Sequence, residues 1–263
     1  MNFDDILYEA SEGIATITIN RPQVLNAFTG KTVDELTRAF MQAWADRSVR
    51  AVILTGTGDR AFCTGGDQST RSADGYDHVA RSERGVDIDD LYSVIRDIPK
   101  PVIAAVNGYA IGGGHVLHVI CDMTIASEKA KFGQVGPRVG SVDAGFGTGY
   151  LATVVGEKKA REIWFLCRQY TAEQAREMGL VNAVVPHEKL MDEARAWAAE
   201  IVLLSPTAIK LAKQSFNVSS EQFRATGAFA SSAVSLYYAT EESQEGRNAF
   251  MEKRKPDYSK FTT

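Results

Sequence analysis

The chain has 263 residues, of which 44% are hydrophobic and 24% are charged, and its formal net charge is -4. This is ordinary globular composition, which argues against a disordered or a fibrous protein. A nucleic-acid-binding protein usually has a surplus of basic residues, so we expect no nucleic-acid partner.

The N-terminus and the cysteines indicate the cellular context. Residues 1–8 include acidic residues and no basic residue, unlike a signal peptide, and no apolar run approaches the roughly 20 residues of a membrane helix. The cysteines lie far apart and form no Cys-x-x-Cys pair, which argues against a disulfide framework and a zinc ribbon. We therefore expect a cytoplasmic protein without a membrane partner. Its small buried hydrophobic residues are expected to include Cys63, Cys121 and Cys167.

The first half of the sequence alternates short strands with helices. Ala15, Ile17 and Ile19 share one face of an alternating segment, which predicts a strand over 13–20. Apolar residues at helical spacing and short apolar runs predict the elements that follow. Helices are predicted over 33–44 and 88–98, and buried strands over 51–55, 102–106 and 123–126.

The second half is mostly helical in composition and in its cap residues. Residues 158–168 have helical composition. Thr171, with Gln174 three residues later, forms a capping box at the start of another helix. Ser205, which precedes a proline, and Thr240 are each predicted to begin a further helix.

The chain shows no clear domain boundary. No Ser-, Gly- or Pro-rich linker separates its two halves. We expect a core over residues 1–200 and a helical region for trimer formation over 201–263. The polar stretch over 67–87 has no clear period and is predicted to be a long loop.

Two of the predicted strands end in similar sequences. Residues 51–56 lead to Gly65-Gly66, and residues 101–108 lead to Gly112-Gly113-Gly114. A strand, a glycine turn and a glycine-rich helix entrance therefore occur twice. This repeat indicates stacked β-β-α turns, as in a solenoid, and an α/β fold class.

The two glycine clusters suggest one chemical function. A helix N-terminus has free backbone N–H groups and the positive end of the helix dipole. Two such ends brought together would direct two donors at one oxygen, forming an oxyanion hole for an enolate or tetrahedral state. The alternative is close packing of each helix on its strand, and the residues alone support both explanations equally.

Several motifs, in their order along the chain, resemble the crotonase (enoyl-CoA hydratase/isomerase) superfamily. They are Asn20-Arg-Pro22, Leu25-Asn-Ala-Phe28, Ala61-Phe-Cys-Thr-Gly-Gly-Asp67, Pro99-Lys-Pro-Val-Ile-Ala104 and Gly108-Tyr-Ala-Ile-Gly-Gly-Gly114. The resemblance covers the whole chain. It implies a crotonase-like spiral of β-β-α turns with a C-terminal helical extension, homotrimers or pairs of trimers, and an acyl-CoA thioester substrate. It also implies that Gly66 and Gly113 donate their N–H groups to the thioester oxygen.

Two residues that the resemblance would supply are missing. Hydratases of the superfamily carry two glutamates, and the matching positions here hold Val116 and Gly136. Water addition to a double bond therefore lacks its acid/base pair at those positions. The segment over 132–148 instead resembles the branch that contains 2-ketocyclohexanecarboxyl-CoA hydrolase and 1,4-dihydroxy-2-naphthoyl-CoA synthase.

Both enzymes of that branch require a thioester enolate, and the resemblance gives catalytic roles to Ser141, Asp143 and Tyr238. Ser141 and Asp143, two residues apart on an extended segment, would point the same way. A carboxylate there can exchange a proton with water or with an enolate carbon. Taken alone, a serine and an aspartate beside glycines also fit an ordinary turn.

Sequence details favour the hydrolase, which opens a cyclic β-ketoacyl-CoA, over the synthase, which closes a ring. Ser69 stands where the synthase has a lysine for its anionic substrate, and Val142 stands where the synthase has phenylalanine. His115 and residues 164–170 and 257–261 are closer to the synthase. Ring closure therefore stays the alternative, together with other activities of the superfamily.

The resemblance also implies a set of substrate contacts. Gln134, Gly136 and Trp164 match a synthase pocket that holds bicarbonate, but Val135 replaces its usual threonine, so we expect no cofactor. The predicted substrate and CoA contacts are Val24, Leu25, Ala27, Thr64, Gly65, Asp67, Gln68, Arg71, Tyr76, Tyr109, Gly112, Gln134, Gly136, Trp164, Phe250 and Lys253.

Two other classes of function were weighed. His115 and His118 lie three residues apart without a third ligand nearby in sequence, so we expect no metal site. A non-catalytic RNA-binding or scaffolding relative is the competing class. The acidic charge argues against RNA binding. The oxyanion glycines together with Ser141 and Asp143 favour an enzyme.

Overall fold

The computed structural model of the protein describes residues 3–71 and 87–261. Its strands are β1 (Ile6–Ser11), β2 (Ile14–Ile19), β3 (Ala51–Gly56), β4 (Ala61–Cys63), β5 (Val102–Val106), β6 (Tyr109–Ile111), β7 (Met123–Ser127), β8 (Lys131–Gly133), β9 (Gln169–Thr171) and β10 (Ala183–Val185). Its helices are α1 (Gly30–Ala45), α2 (Ile88–Asp97), α3 (Gly113–Ile120), α4 (Leu151–Val155), α5 (Glu157–Leu166), α6 (Ala172–Glu177), α7 (Leu190–Val202), α8 (Pro206–Val218), α9 (Glu221–Tyr238) and α10 (Glu241–Met251).

The strands form two sheets, which the chain visits alternately from β3 to β8. The larger sheet has the order β1-β2-β3-β5-β7-β10, and the smaller one has the order β4-β6-β8-β9. Each turn of the chain places one strand in the larger sheet and the next in the smaller sheet, and the first two such turns are each followed by a helix. The predicted spiral of β-β-α turns is confirmed.

Hydrophobic residues cover both faces of the larger sheet. On one face, Ile17 and Leu54 belong to the main core together with residues of α1, α2 and α3. On the other face, Ile53 and Ile103 pack with residues of α7. Because β3 and β5 are buried on both sides, their sequences are continuous apolar runs, as is typical of parallel strands.

The predicted helix starts are confirmed by cap hydrogen bonds. Thr171 and Gln174 form a capping box at the start of α6. The Ser205 side chain accepts a hydrogen bond from the Ala208 N–H, and the Thr240 side chain accepts one from the Ser243 N–H. Each cap satisfies an N–H group that has no partner within its helix.

The C-terminal region returns to the core. Helix α9 contacts α2 and a π-helical turn at Phe146–Tyr150, and α10 contacts a 3₁₀ turn at Gln68–Thr70. The predicted boundary between residues 200 and 201 falls within the last turn of α7. The predicted loop over 67–87 is described only as far as Arg71 and from Asp87 onward.

Two further expectations can be compared with the structure. Cys63, Cys121 and Cys167 are buried and free, as predicted. Across residues 3–71 and 87–261, none of the helices has the length and apolar character that a bilayer crossing demands.

Candidate active site

The two glycine clusters lie against each other in the structure. A Cβ atom at Gly65 would lie 2.9 Å from the Gly113 nitrogen, and a Cβ atom at Gly113 would lie 3.4 Å from the Gly65 Cα. Gly65 also has a φ of +85°, a conformation that glycine adopts without strain. Gly65 therefore requires glycine for its conformation as well as for the backbone approach, whereas a Cβ at Gly113 would lie 2.7 Å from the Phe28 ring.

The N–H groups of Gly66 and Gly113 make no hydrogen bond with any residue that the structure describes. Gly66 lies in a bridge to Phe28 in which the neighbouring Gly65 carbonyl and Asp67 N–H make the bonds. Gly113 is the first residue of α3, where an N–H has no intrahelical acceptor. Two donors at adjoining backbone segments can stabilise an oxyanion.

The segment over 21–27 is fixed beside this pair of glycines. The Arg21 guanidinium donates to the Ala27 carbonyl at 2.5 Å and forms an ion pair with Asp67 at 3.2 Å. The Thr64 hydroxyl donates to the Leu25 carbonyl at 3.2 Å. These bonds place Val24, Leu25 and Ala27 next to the end of β4.

Asp67 and Gln68 hold the glycine turn by local hydrogen bonds. The Asp67 carboxylate accepts from the backbone N–H and the hydroxyl of Ser69 as well as from Arg21. The Gln68 amide donates to the Gly66 carbonyl at 3.3 Å. Both side chains stabilise the backbone that presents Gly66.

Ser141 and Asp143 follow a 3₁₀ turn at Gly136–Arg138. The Ser141 N–H donates to the Gly136 carbonyl at 2.8 Å, and its hydroxyl lies 2.8 Å from the Tyr238 hydroxyl at the end of α9. One oxygen of the Asp143 carboxyl accepts from the N–H groups of Gly145 and Gly147 at 3.0 and 2.9 Å. The three predicted catalytic side chains therefore occupy one turn and the helix end beside it.

Asp143 is a buried carboxyl whose pKa is shifted toward neutral pH. Burial raises the pKa of Asp143 to about 6, against the lowering effect of the Gly147 and Gly145 N–H groups, and the nearby Asp89 raises it further. Its second carboxyl oxygen makes no hydrogen bond with a described residue. A carboxyl of this kind can accept a proton and return it.

Arg71 connects the Ser141 turn to the C-terminal helices. Its guanidinium donates to the carbonyls of Val139 and Gly140 at 3.2 and 2.9 Å and to the Ser243 hydroxyl, and it lies 4.5 Å from the Tyr238 ring centroid. Only 1% of the residue is exposed. These guanidinium N–H groups donate to acceptors of the protein itself. The predicted contact of Arg71 with a substrate stays a prediction.

The side chains of the implied bicarbonate pocket make their polar contacts with neighbouring groups of the protein. The Trp164 ring nitrogen donates to the Gly147 carbonyl at 2.7 Å. The Gln134 amide lies 3.3 Å from the Gly112 carbonyl and 3.4 Å from the His115 ring nitrogen. A Cβ at Gly136 would lie 2.5 Å from the Ser141 carbonyl oxygen. These donors are committed within the protein and do not fit an anion, so no step below involves bicarbonate.

Comparisons with known proteins show the family of the chain. The family model described as enoyl-CoA hydratase/isomerase matches residues 9–260. The chain belongs to the enoyl-CoA hydratase/isomerase family. A solved enoyl-CoA hydratase from Mycobacterium avium subsp. paratuberculosis K-10 is 25% identical over 100% of both chains, with a TM-score of 0.84. The structure of EchA1_1 from Mycobacterium paratuberculosis is 31% identical over 96% of this chain and 97% of that chain, with a TM-score of 0.83.

This family member has no carboxylate at the two positions where the sequence comparison expects one in a hydratase. Val116 lies in α3 with 1% of the residue exposed, inside the main core. Gly136 lies against the Ser141 carbonyl and the Trp164 ring. Neither position can supply a proton.

The remaining predicted contacts are exposed, precede α3 or fall outside the described residues. Tyr109 and Phe250 are exposed side chains, and Lys253 is exposed just after α10. Gly112 precedes α3 and bonds through its N–H to Gly133. Tyr76 falls in the part of the chain that the structure does not describe.

The histidines of α3 are buried, and burial lowers the pKa of both His115, to about 3, and His118. They lie in the core with their rings 4.9 Å apart. Among the residues that the structure describes, no group of three or more His, Cys, Asp or Glu side chains could hold a metal ion.

Two residues near Asp143 were missed in the sequence. Asp89 and Tyr92 lie three apart in α2 and influence the Asp143 region electrostatically. Burial raises the pKa of Asp89, which accepts a hydrogen bond from the Ser231 hydroxyl of α9. Their helical spacing was visible in the sequence, but the contact between Asp89 and Ser231 depends on how α2 packs beside α9.

Proposed function

We propose that this member of the family hydrolyses the ring of a cyclic β-ketoacyl-CoA, of the 2-ketocyclohexanecarboxyl-CoA type, to a dicarboxylic mono-CoA ester. The observation that carries the proposal is Asp143, a carboxyl with a pKa of about 6 held beside Ser141 and Tyr238. It replaces the two hydratase carboxylates, whose positions hold Val116 and Gly136. The Gly66 and Gly113 N–H groups supply the oxyanion donors.

The reaction uses water and regenerates the carboxylate. Ionised Asp143 takes one proton from water while the water oxygen bonds to the ring ketone carbon. The bond between that carbon and the α-carbon then breaks, and its electron pair forms the thioester enolate. The Gly66 and Gly113 N–H groups stabilise the enolate oxygen. Protonated Asp143 returns its proton to the α-carbon, leaving a carboxylic acid and the open-chain thioester.

Ser141 and Tyr238 are proposed to position the attacking water and the ketone oxygen. Burial raises the pKa of Tyr238, so the phenol stays protonated near neutral pH and can donate. Ser141 shares a 2.8 Å hydrogen bond with it and can accept or donate toward the water. The pair thereby provides polar groups beside the turn that carries Asp143.

Product analysis tests the proposed function against its alternatives. The pure protein is incubated separately with 2-ketocyclohexanecarboxyl-CoA, o-succinylbenzoyl-CoA and an unsaturated acyl-CoA, and the products are identified by mass. We expect an open-chain dicarboxylic mono-CoA ester from the first and no conversion of the others. Ring closure of the second compound or hydration of the third, without cleavage of the first, would contradict the proposal.

We further propose that the protein forms homotrimers or pairs of trimers through its C-terminal helices. Large hydrophobic side chains in and beside α8, α9 and α10 are exposed in the single chain, and burying them would be favourable. They are Leu203, Leu204, Leu211, Phe216, Val218, Phe229, Leu236, Phe250 and Met251. Light scattering coupled to size exclusion tests this, and a monomer at micromolar concentration would contradict it.

A further inference from the structure

Trp164 is a buried side chain of α5 that the proposed mechanism does not use. Its ring nitrogen donates a hydrogen bond to the Gly147 carbonyl at 2.7 Å. A Cβ atom at Gly136 would lie 3.1 Å from the same ring. The indole therefore contacts both ends of the segment over 136–147, which carries Asp143.

Gly147 contacts the Asp143 carboxyl in two ways. Its N–H donates to one carboxyl oxygen at 2.9 Å. A Cβ atom at Gly147 would lie 2.6 Å from the carboxyl carbon and 2.8 Å from the second oxygen, so the carboxyl packs directly on the glycine. Because the interior leaves no room for a side chain here, the position of Gly147 determines the position of the carboxyl.

The Gly147 N–H also affects the proton affinity of Asp143. Burial raises the pKa of Asp143 to about 6, and the N–H groups of Gly147 and Gly145 oppose that effect. They do so because a hydrogen bond to the ionised carboxylate favours the ionised form. If the bond from Gly147 weakens, the pKa of Asp143 must rise further.

Other titratable groups of the described chain that interact with Asp143 lie on two different helices. They are Asp89 and Tyr92 of α2 and Tyr238 of α9. The indole N–H of Trp164 bonds to Gly147 and to none of these groups. We therefore expect a change at Trp164 to reach Asp143 through Gly147.

We propose that Trp164 is a positioning residue whose indole N–H fixes Gly147 and thereby the Asp143 carboxyl. This inference rests on the proposed function for the acid/base role of Asp143. Loss of the indole N–H removes the bond that ties the Gly147 carbonyl to α5. The reacting carboxyl then loses part of its support, and a small displacement of a reacting group lowers the rate strongly.

The pH profile of Trp164→Phe tests the inference by kinetics. Phenylalanine keeps an aromatic ring at this position but has no N–H donor. We expect the rising limb of kcat/KM to move upward from about 6 by about one pH unit, because the ionised carboxylate is less well stabilised. Above the limb, kcat should be about tenfold lower, with little change in KM for the CoA ester.

Infrared difference spectroscopy measures the same carboxyl without requiring turnover. The C=O stretch of protonated Asp143 is identified as the band that is absent from Asp143→Asn. The loss of this band as the pH is raised gives the pKa of Asp143. In Trp164→Phe the band should disappear about one pH unit higher than in the wild-type protein.

Trp197→Phe is the matched control. The Trp197 ring nitrogen donates to the Glu193 carboxylate at 2.9 Å within α7, on the face of the larger sheet opposite to the main core. The same substitution there also removes an indole hydrogen bond, but it should leave the pKa of Asp143 unchanged. An equal shift in both tryptophan variants would indicate a general effect on the fold and overturn the inference.

Gly147→Ala provides a second test, which applies even if Trp164→Phe does not fold. The added Cβ displaces the carboxyl from the Gly147 N–H, so the pKa of Asp143 should rise in this variant as well. Its control is Gly149→Ala, because a Cβ there would lie 2.5 Å from the Phe223 ring and not beside the carboxyl. An unchanged Asp143 titration in Gly147→Ala would overturn the inference.

The outcomes separate this inference from the proposed function. An unchanged Asp143 titration in Trp164→Phe would overturn the inference even if the wild-type protein opens the ring. A shifted titration in that variant, with no ring opening by the wild-type protein, would support the positioning role and refute the hydrolase. A lower kcat with the limb and the infrared titration unchanged would make Trp164 a purely structural residue and overturn the inference.

Discussion

The Ser141 hydroxyl and the Tyr238 hydroxyl lie 2.8 Å apart although 97 residues separate them in the sequence. This hydrogen bond joins the turn that holds Ser141 and Asp143 to the end of α9. Arg71 supports the same junction because its guanidinium binds the carbonyls before Ser141 and stacks on the Tyr238 ring. The position of Tyr238 therefore depends on Arg71, which follows the Gly65-Gly66 turn along the chain.

Arg71→Lys is expected to lower kcat by about tenfold while changing KM for the CoA ester little. Lysine keeps the charge but loses the planar fork and the stacking on Tyr238, so the phenol would shift relative to Ser141. Small displacements of a positioned group reduce the rate strongly. Steady-state kinetics on the ring substrate measure the split between kcat and KM.

Arg96→Lys is the control for that variant. Arg96 is also buried, bonds to the Ser220 hydroxyl and stacks on Phe146 and Tyr150 rather than on Tyr238. The Arg96→Lys variant should lose about as much thermal stability as the Arg71→Lys variant, but its kcat should fall less. Equal loss of kcat in the two variants would show that Arg71 acts only through general stability.

Gly113→Pro and Gly113→Ala separate the oxyanion donor from the space around it. A Cβ at residue 113 would lie 2.7 Å from the Phe28 ring, so both variants displace that ring. Only proline removes the N–H. Because proline is tolerated at the first position of a helix, we expect the proline variant to keep α3. The proline variant should turn over roughly 10²–10³-fold more slowly than the alanine variant. Equal rates in folded proteins would refute the role of this N–H.

The pH dependence of kcat/KM should show a limb near the pKa of Asp143. Because burial raises that pKa to about 6, and water activation needs the ionised carboxylate, activity should rise with pH through about 6 and then level off. Asp143→Asn should abolish the limb and lower kcat far more than it weakens CoA-ester binding. An Asp143→Asn protein that changes only KM would make Asp143 a binding residue.

Lys213 is expected to be important for stability without entering the reaction. Its ammonium donates to the carbonyls of Ile95 and Lys100 at 3.0 and 3.1 Å and pairs with Asp122 at 2.7 Å. Lys213→Met leaves these acceptors unpaired, and we expect it to cost about 3 kcal/mol in urea unfolding. Adding Asp122→Asn should restore part of the loss, and a cost of the single variant near zero would contradict the role of the pair.

The strand predictions succeeded where packing gives a strong sequence pattern. Ile17 and Ile19 alternate with partly buried threonines, and β3 and β5 are continuous apolar runs. Strand β1 was missed because most of its side chains are exposed or partly buried, which leaves no clear alternation. Helix α9 was not delimited because the Ser220 side chain does not cap its N-terminus and its faces differ little in polarity.

Part of the site was also predicted from a repeated sequence pattern. Repeated strand-glycine-helix patterns were compatible with one function for the two glycine clusters, and the resemblance assigned it to Gly66 and Gly113. The structure brings the two clusters together. The anchoring role of Arg71 had no sequence signal, because its partners are the backbone carbonyl of Gly140 and the side chain of Ser243, 69 and 172 residues away. Which distant residues become hydrogen-bond partners of Arg71 depends on the fold, and residue type alone does not indicate them.

The fate of solvent oxygen tests the hydrolytic ring opening most directly. The protein is incubated with 2-ketocyclohexanecarboxyl-CoA in H₂¹⁸O, and the thioester product is analysed by tandem mass spectrometry. We predict one ¹⁸O atom in the newly formed distal carboxylate and none in the thioester carbonyl, because water attacks the ring ketone and Gly66 and Gly113 only stabilise the thioester oxygen. Unchanged ring substrate, or ¹⁸O confined to a free acid released by thioester cleavage, would contradict the account.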